Sequence, residues 1–167
     1  MFLKKFFAAI AILLISVPLA RAQAPQLCEP FTVIGHAKRT MTFIDLGEPG
    51  TGPGDERIGK RVIYDENDME IGVLTWVVKT ITNPTEDEAG VGHFSGHFEF
   101  PDGSISYLGI LRTNYHAHET QAASFDKSQE NAILGGTGIF AGAEGTIESR
   151  PEADRKRMIY SIDIHCD

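Results

Sequence analysis

The feature that most constrains the fold is a succession of short β-rich runs, separated by turn signals, along nearly the whole chain. Valine, isoleucine, threonine and aromatic residues dominate the runs, while glycine, proline, asparagine and aspartate mark their ends. Helical periodicity is nearly absent, since a weak pattern over 120–131 is the only candidate. About eight strands at intervals of roughly 10–15 residues predict an all-β domain, either a closed barrel or a sandwich.

The predicted strands are divided by segments whose composition is typical of loops and turns. A proline- and glycine-rich loop covers 47–54, an acidic loop covers 83–90, and a glycine-rich corner covers 135–145. The strands are expected at 31–46, 61–64, 71–82, 91–100, 104–113, 115–125, 132–134, 146–149 and 158–164. The sequence has no internal repeat and no compositional break, so one domain is expected.

The N-terminal segment has the three parts of a removable secretory signal. Two lysines form a short basic region, residues 6–19 are uncharged and mainly apolar, and Ala20-Arg21-Ala22 provides small residues at the −3 and −1 positions. The apolar run of about 14 residues is shorter than the roughly 20 that a membrane-spanning helix needs. We therefore predict a signal peptide over 1–22, with Ala24 as the alternative cleavage site, and a single secreted or periplasmic domain over 23–167.

Charge limits the partners of the mature chain. The predicted signal contains three of the 15 basic residues and none of the 23 acidic residues, so cleavage leaves a net charge of about −11. An acidic surface of this kind disfavours electrostatic binding of nucleic acid or anionic membranes. We therefore expect neither as a partner once the signal is removed.

Two cysteines, Cys28 and Cys166, lie near the two ends of the mature chain. Export would place them in an oxidising compartment, so a disulfide is expected and a free reactive thiol is the alternative. In an up-and-down barrel with an even number of strands, the first and last strands pair antiparallel. A Cys28–Cys166 bridge would lock that seam, which favours an eight-stranded antiparallel up-and-down β-barrel. Closing so long a loop is worth about 4–5 kcal/mol in the chain-entropy treatment.

The sequence contains stretches that resemble cofactor-binding motifs, but the residues in or around them do not match what those motifs require. Residues 136–141 (GTGIFA) fit the dinucleotide pattern GxGxxG/A, but a further glycine-rich stretch and a β-rich run follow where a helix is required. The acidic run 65–70 departs from the EF-hand pattern at Met69 and Glu70. No lysine is placed for a phosphate-binding loop. We therefore expect no cofactor.

Histidines supply the pattern that points to metal chemistry. His93 and His97 share one face of a strand with Glu99, and His116 and His118 share a face of a later strand. Neutral imidazoles on adjacent strands hold zinc or copper when they converge. Because scattered strand histidines are usually partly exposed or polar core residues, we expect no metal site.

The register of the hairpin at Pro101-Asp102-Gly103 decides whether these histidines converge. A G1 bulge at Gly103 pairs Phe100 with Ser104 and places the two pairs of histidines on opposite faces. A two-residue turn places all four on one side. Pro-Asp-Gly favours the bulge. The same register decides which polar strand residues face the barrel interior.

Aromatic residues are compatible with two kinds of barrel interior. Eight strands just enclose one small molecule, so Tyr64, Trp76, Phe98 and Tyr115 are candidate ligand-binding residues in a cavity. The same side chains would fill the interior of a packed barrel. The residues alone leave both interpretations open.

One glycine-rich segment connects the chain to a known family. Residues 135–145 (GGTGIFAGAEG) resemble the GGTG-x-[FY]-x-G-A-x-G signature of the allene oxide cyclase-like barrels, which are related to the plant dirigent proteins. Looser similarities extend the resemblance over 31–164, at Gly54-Asp55, 62–65, Gly72, 98–103 and Gly109. The resemblance implies an eight-stranded antiparallel barrel with a largely apolar cavity, in agreement with the strand count.

The resemblance also implies a function. Plant members of the family bind a reactive intermediate and direct its ring closure or coupling through the shape of the cavity and a few polar groups. Asp65 falls on a recurring family position, and Glu99, Tyr107 and Arg112 complete the polar candidates for catalysis. A carboxylate would act as a base or stabilise a cation, and the tyrosine and arginine would hold a carbonyl or oxyanion.

Three hypotheses follow, in order of preference. The first is a cofactor-free, isomerase- or cyclase-like barrel that binds a hydrophobic small molecule and directs its cyclisation or stereochemistry. The second is a non-catalytic barrel that binds a ligand or a partner protein, and the third is a histidine-based metal-binding protein. Catalysis itself and association into homo-oligomers are left open, because a fold alone does not determine function.

Overall fold

The computed structural model describes residues 28–36, 38–113, 128–152 and 156–166. These residues form nine strands and no helix: β1 Phe31–His36, β2 Thr40–Ile44, β3 Glu56–Tyr64, β4 Glu70–Thr82, β5 Gly90–Phe100, β6 Gly103–Thr113, β7 Gln129–Gly138, β8 Ala143–Pro151 and β9 Arg157–Cys166. The prediction of an all-β domain is confirmed. The predicted signal peptide lies outside the described residues, and among the residues described no helix is long and apolar enough to cross a membrane.

The strands form one antiparallel sheet that closes into an up-and-down barrel. From β2 to β9 each strand pairs with the next, and β1 closes the sheet by pairing with β9 on one side and β3 on the other. Because β1 and β2 both pair with β3, they occupy one barrel position, and the nine strands make an eight-stranded barrel. The predicted fold class is confirmed.

The predicted first strand is divided into two segments. Ile34 lies opposite Tyr64, so an unbroken register would place Thr40 opposite Ile58. Instead Thr40 lies opposite Lys60. This shift of two residues separates β1, which pairs with the end of β3, from β2, which pairs with its beginning.

The Cys28–Cys166 disulfide joins the two ends of the described chain at the barrel seam. Its Cα atoms are 5.6 Å apart, and β1 and β9 pair antiparallel beside it, with Phe31 opposite Ile162. The predicted disulfide and its place at the seam are confirmed.

The two ends of the barrel are built differently. At one end, called the closed end, short connections at 65–69, 101–102 and 139–142 lie near the disulfide. At the other, called the open end, the connections at 45–55 and 83–89 are longer. Among the described residues, the two ends therefore differ in the lengths of their connections.

The connection between β7 and β8 explains the glycines of the family-like segment. Gly138 has a φ of +61°, and a Cβ at this position would overlap the backbone of Asp102. The segment is a strand, a tight turn and a second strand, because β7 continues through Gly138 and β8 begins at Ala143. No helix N-terminus follows these glycines, so the segment lacks the structure that binds a dinucleotide.

The hairpin between β5 and β6 differs from the prediction. Phe100 pairs with Gly103 and Glu99 with Ser104, so the turn has two residues and the predicted G1 bulge is wrong. The neighbouring strand gives the reason. A Cβ on Gly103 would overlap the backbone carbonyl of Thr137 on β7, so glycine serves close strand packing here rather than a left-handed conformation.

Candidate functional site

Alternation along the strands determines which side chains reach the barrel interior. Inward positions are even from Leu74 onward in β4 and throughout β5, and odd in β3 and β6. Toward the closed end these side chains are apolar and buried against one another. Toward the open end several of them are polar, so the candidate site lies in the open half.

A cavity of about 70 Å³ lies in the open half of the barrel. Its apolar wall is formed by Met41, Trp76, Val78, Phe94, Leu111 and Met158. Its polar and phenolic lining is formed by Arg39, Arg57, Arg61, Gln129, Asn131, Ser149 and Tyr160. Apolar walls with a few polar groups are typical of small-molecule sites. Within the described part of the chain, the lining has three arginines and no carboxylate.

Arg61 on β3 is the most deeply buried of the three arginines, with 6% of its surface exposed. Its Nη1 donates a long hydrogen bond of 3.5 Å to the Gly35 carbonyl. The guanidinium carbon lies 4.9 Å from the centroid of the Trp76 ring. Its Nε has no hydrogen-bond partner, and no described carboxylate forms an ion pair with it.

The local contacts of Arg61 leave part of its hydrogen-bonding capacity unused. Desolvating an ion inside a protein costs on the order of several kcal/mol. Stacking of the cation on Trp76 returns about 0.5–2 kcal/mol, and one neutral-acceptor hydrogen bond about 1.5–3 kcal/mol at good geometry. The guanidinium therefore retains an unpartnered Nε–H and a positive charge that no described carboxylate neutralises.

Two further arginines extend the positive charge toward the mouth of the cavity. Arg57 is partly buried, and its guanidinium carbon lies 5.7 Å from the centroid of the Phe43 ring. Arg39 is more exposed; partial burial of its guanidinium, followed by the positive charge of Arg61, lowers the pKa of Arg39. Arginine side chains are not deprotonated in proteins near neutral pH, so the three guanidinium groups carry positive charge.

Two buried tyrosines lie beside the arginines. Burial raises the pKa of Tyr107 well above its ordinary value and also raises the pKa of Tyr160, so both phenols are protonated near neutral pH. Tyr160 lines the cavity. Tyr107 packs against Phe94, with 5.5 Å between ring centroids, and its hydroxyl has no hydrogen-bond partner. Tyr160 can therefore donate to a molecule in the cavity, whereas Tyr107 supports the cavity wall.

Glycines on neighbouring strands make room for the large rings of the site. Gly59 lies directly opposite Trp76, and a Cβ on this glycine would overlap the indole ring. Gly96 has the same relation to the ring of Tyr107. An inward glycine in a strand is therefore a sequence signal for a large side chain on the next strand.

Three of the residues predicted for the site lie inside the barrel. Trp76 lines the cavity. Phe98 and Tyr107 are fully buried, and their rings stack with 5.2 Å between centroids. Sequence reasoning missed Arg61 and Tyr160, because their contribution depends on inward parity and on the strands beside them. An arginine at an inward position between Gly59 and a buried isoleucine was the available signal.

Other predicted residues lie away from the cavity. Glu99 and Arg112 are exposed on the outer face, because the two-residue hairpin turns the odd positions of β5 and the even positions of β6 outward. Tyr64 packs edge-on against His36, with 4.6 Å between ring centroids. Tyr115 lies outside the described residues.

Asp65 orders a turn at the closed end of the barrel. Its Oδ1 accepts hydrogen bonds from the backbone N–H groups of Met69, at 2.8 Å, and Asn67, at 2.9 Å. The bond from Met69 contributes most to holding the pKa of Asp65 below its ordinary value. Its position and contacts are those of a strand cap, and the cavity lies at the other end of the barrel.

Asp55 performs a similar structural task at the open end. Its carboxylate accepts hydrogen bonds from the backbone N–H groups of Leu46, at 2.8 Å, and Gly52, at 2.5 Å. These two bonds, in that order, hold its pKa below the ordinary value. The backbone N–H of Thr80 on β4 donates to the Asp55 carbonyl at 2.8 Å, so this residue fastens the 45–55 loop to the barrel rim.

Two of the four candidate metal-binding histidines are described, and both lie on the outer face. His93 is exposed, and the Nδ1 atom of His97 lies 2.9 Å from the Ser106 hydroxyl oxygen. Within the described ranges, no group of three or more His, Cys, Asp or Glu is placed to hold a metal. Because His116 and His118 lie outside those ranges, the expectation that the four histidines form no metal site stays a prediction.

Solved structures show which proteins share the fold. A pyocyanin demethylase has a TM-score of 0.60 and 16% identity, covering 80% of this chain and 98% of its own. A nonspecific heme-binding cyclase, which catalyses [4 + 2] cycloaddition during neoabyssomicin biosynthesis, has a TM-score of 0.57 and 19% identity, covering 83% of this chain and 65% of its own. A pterocarpan synthase dirigent protein has a TM-score of 0.56 and 16% identity, covering 82% of each chain.

These similarities concern the fold. No protein-family model and no curated protein matches the sequence. The resemblance to dirigent-like barrels is confirmed at the level of architecture, since the dirigent protein and the cyclase share the barrel over most of this chain. Any shared activity has to be argued from the cavity.

Proposed function

We propose that this chain is an exported barrel that binds a hydrophobic small molecule in its open-end cavity and directs the cyclisation of that molecule without a cofactor. The signal-like segment 1–22 supports export. Barrels of the same fold include a cyclase and a dirigent protein. The observation that carries the proposal is a largely apolar cavity that contains a buried arginine, Arg61, whose Nε has no hydrogen-bond partner.

The geometry supports catalysis by confinement. A flexible molecule held between Trp76, Phe94 and Leu111 loses most of its conformations, which lowers the entropic barrier to ring closure. Arg61 anchors a polar end, and the neutral phenol of Tyr160 can donate to an oxygen that gains negative charge. The described lining has no carboxylate or histidine, so its residues supply shape and hydrogen-bond donation rather than a general base.

The cavity is expected to enlarge when it binds a ligand. Its volume of about 70 Å³ is below the roughly 300–1,000 Å³ of typical ligand pockets. Met41 and Met158 form part of the wall, and methionine side chains adapt readily to irregular shapes. We expect these side chains and exposed Arg39 to move outward, so that a bound molecule extends from Arg61 through the mouth of the barrel.

A non-catalytic ligand-binding barrel is the second candidate function. It is favoured by the same observation that limits the chemistry, namely that the described lining residues include no carboxylate or histidine. Such a barrel would gain thermal stability from its ligand without converting it. Product formation therefore separates the two candidates.

Paired substitutions on β4 test the role of the cavity. Val78→Phe would fill the cavity, whereas Val77→Phe adds the same ring to the outer face of the same strand. Each protein is mixed with a panel of linear dienes and phenols that each carry a tethered alkene, so that ring closure is an isomerisation and needs no oxidant. We measure the unfolding temperature and the cyclised products by chromatography with mass spectrometry. We expect an enriched cyclic product with the unaltered chain and with Val77→Phe, and none with Val78→Phe.

Other results would change the assignment. Thermal stabilisation without product, again lost in Val78→Phe, would support the non-catalytic barrel. Equal product from both variants would place the chemistry outside the cavity. No stabilisation and no product with any member of the panel would contradict both candidate functions.

A further inference from the structure

We propose that the ligand of this cavity carries a carboxylate, which pairs with the buried guanidinium of Arg61. The inference rests on the proposed function, because it names the chemical class of the molecule that the cavity holds. Arg61 is 6% exposed, lines the cavity, and has an Nε without a hydrogen-bond partner. A buried cation of this kind is stabilised by an anion in direct contact with it.

The distribution of charge supports an anionic ligand. Acidic residues outnumber basic ones by 23 to 15 in the chain, yet three arginines line this one small cavity. The described lining contains no carboxylate that would neutralise them. Part of the pKa lowering at Arg39 comes from the charge of Arg61, so the arginines repel one another. A negative group between them would turn that repulsion into attraction.

The surroundings of Arg61 favour a carboxylate over a larger anion. The guanidinium presents its N–H groups in a planar fork, which matches the two oxygens of a carboxylate. One face of the guanidinium is covered by Trp76 at 4.9 Å, and the cavity volume is about 70 Å³. A flat, singly charged group on an apolar body fits this space better than a tetrahedral, more heavily hydrated phosphate.

The three arginines also indicate the orientation of the ligand. Arg39 is exposed, Arg57 is partly buried and Arg61 is buried, so positive charge continues from the mouth to the interior. We expect the carboxylate end of the ligand to enter the cavity first and to stop at Arg61. The apolar remainder of the molecule would then lie against Phe94 and Met158 and reach toward the mouth.

Octanoate and octanamide are suitable matched probes, because they have the same chain length and differ in charge. Trp76 is the only tryptophan in the chain and lies against Arg61 in the cavity wall, so intrinsic fluorescence reports this site. We expect the unaltered chain to bind octanoate about tenfold or more tightly than octanamide at low salt, because a charge-assisted hydrogen bond forms with the acid alone.

Substitutions of Arg61 test the assignment of the cation. Arg61→Met removes the charge and keeps an apolar stem, so octanoate binding should weaken about tenfold while octanamide binding is retained. Arg61→Lys keeps the charge without the planar fork and should retain part of the preference for the acid. Arg150→Met, on the exposed outer face of β8, is the matched control and should behave as the unaltered chain.

The unfolding midpoint of each variant separates lost folding from lost binding. If Arg61→Met does not fold, octanoate and octanamide binding are compared in Arg61→Lys instead. Equal affinities for the acid and the amide in the unaltered chain, or undiminished octanoate binding by the Arg61 variants, would overturn the anion inference and leave the binding function in place. A response to the diene and phenol panel with no response to either probe would also overturn the inference alone. If the chain responds neither to the panel nor to either probe, both the anion inference and the proposed binding function are overturned.

Discussion

The closed and open halves of the barrel use the same strand alternation for different purposes. In the closed half, aromatic rings form a continuous series of contacts from Phe31 through Phe140 and Phe100 to Phe98, with centroids 5.2–6.1 Å apart. In the open half, comparable inward positions hold Arg61 and other polar residues around a cavity. We therefore expect substitutions in the closed half to change the free energy of unfolding, and substitutions in the open half to change ligand binding.

Removal of the disulfide is expected to have the largest effect, and it acts at the closed end. Replacing Cys28 and Cys166 together by serine should lower the free energy of unfolding by up to about 4–5 kcal/mol, because the bridge restricts the unfolded chain over a separation of 138 residues. Urea denaturation measures the change. Octanoate affinity should stay the same in the folded fraction. A large loss of affinity would show that the closed end also maintains the cavity.

Phe140→Ala is expected to be nearly as destabilising. Phe140 is fully buried and its ring lies 5.2 Å from that of Phe100, so truncation leaves a cavity and should cost about 3–5 kcal/mol. Arg61→Met, in the open half, should leave the free energy of unfolding unchanged or raise it, because it removes an unpaired buried charge. Denaturation of the two variants side by side checks the contrast. Comparable losses in the free energy of unfolding would contradict the expectation that the closed half determines stability and the open half determines ligand binding.

Gly59→Ala should disturb the cavity with a moderate loss of stability. Its Cβ would overlap the Trp76 ring, so the ring must shift, at a cost of about 1–3 kcal/mol. The emission spectrum of Trp76 and the octanoate affinity should both change. Gly52→Ala is the control, because a Cβ there would approach no neighbouring atom more closely than 4.0 Å. An unchanged spectrum in Gly59→Ala would contradict the described packing of the indole.

Acidification is expected to produce the smallest change in the free energy of unfolding, through carboxyl groups at both ends of the barrel. Hydrogen bonds, chiefly from Leu46 and Gly52, hold the pKa of Asp55 below its ordinary value, and a bond from Met69 does the same for Asp65. A carboxyl whose pKa is lower in the folded state stabilises the fold above its unfolded-state pKa of about 3.9. That stabilisation is lost as the pH falls through the lower folded-state pKa.

The pH effect is measured by urea denaturation between pH 7 and pH 2. The unaltered chain should lose stability below about pH 4, and Asp55→Asn and Asp65→Asn should each make that decline shallower. Asp102→Asn, in an exposed turn, is the control and should follow the unaltered chain. A decline that neither substitution alters would show that other groups cause the acid sensitivity.

The architecture was predictable because it depends on local patterns. Alternating β-rich runs, turn residues and the two cysteines near the ends of the predicted mature chain indicated an eight-stranded barrel with a disulfide at its seam, and both features are present. The division of the first strand into β1 and β2 was not predictable, because it arises from a register shift along β3. Residues 31–46 have suitable strand composition throughout, so composition alone contains no sign of the interruption.

The candidate site was less predictable, because side-chain direction depends on register. The Pro-Asp-Gly sequence favoured a bulge, but close packing of Gly103 against β7 selects a two-residue turn. With that register, Tyr107 faces inward while Glu99 and Arg112 face solvent. Trp76 was identified from its residue type, which suits both a packed interior and a cavity wall.

By itself, the sequence determined the approximate positions of most strands and of the loops between them, together with the pairing of Cys28 with Cys166, since each depends on local composition or on the positions of two residues. The tertiary structure decided that the open half contains a cavity and that Arg61 lies in it without an ionic partner among the described residues. The physical reason is the period of two along a β-strand. A shift of one residue exchanges interior and exterior, and only pairing with neighbouring strands determines which arginine is buried.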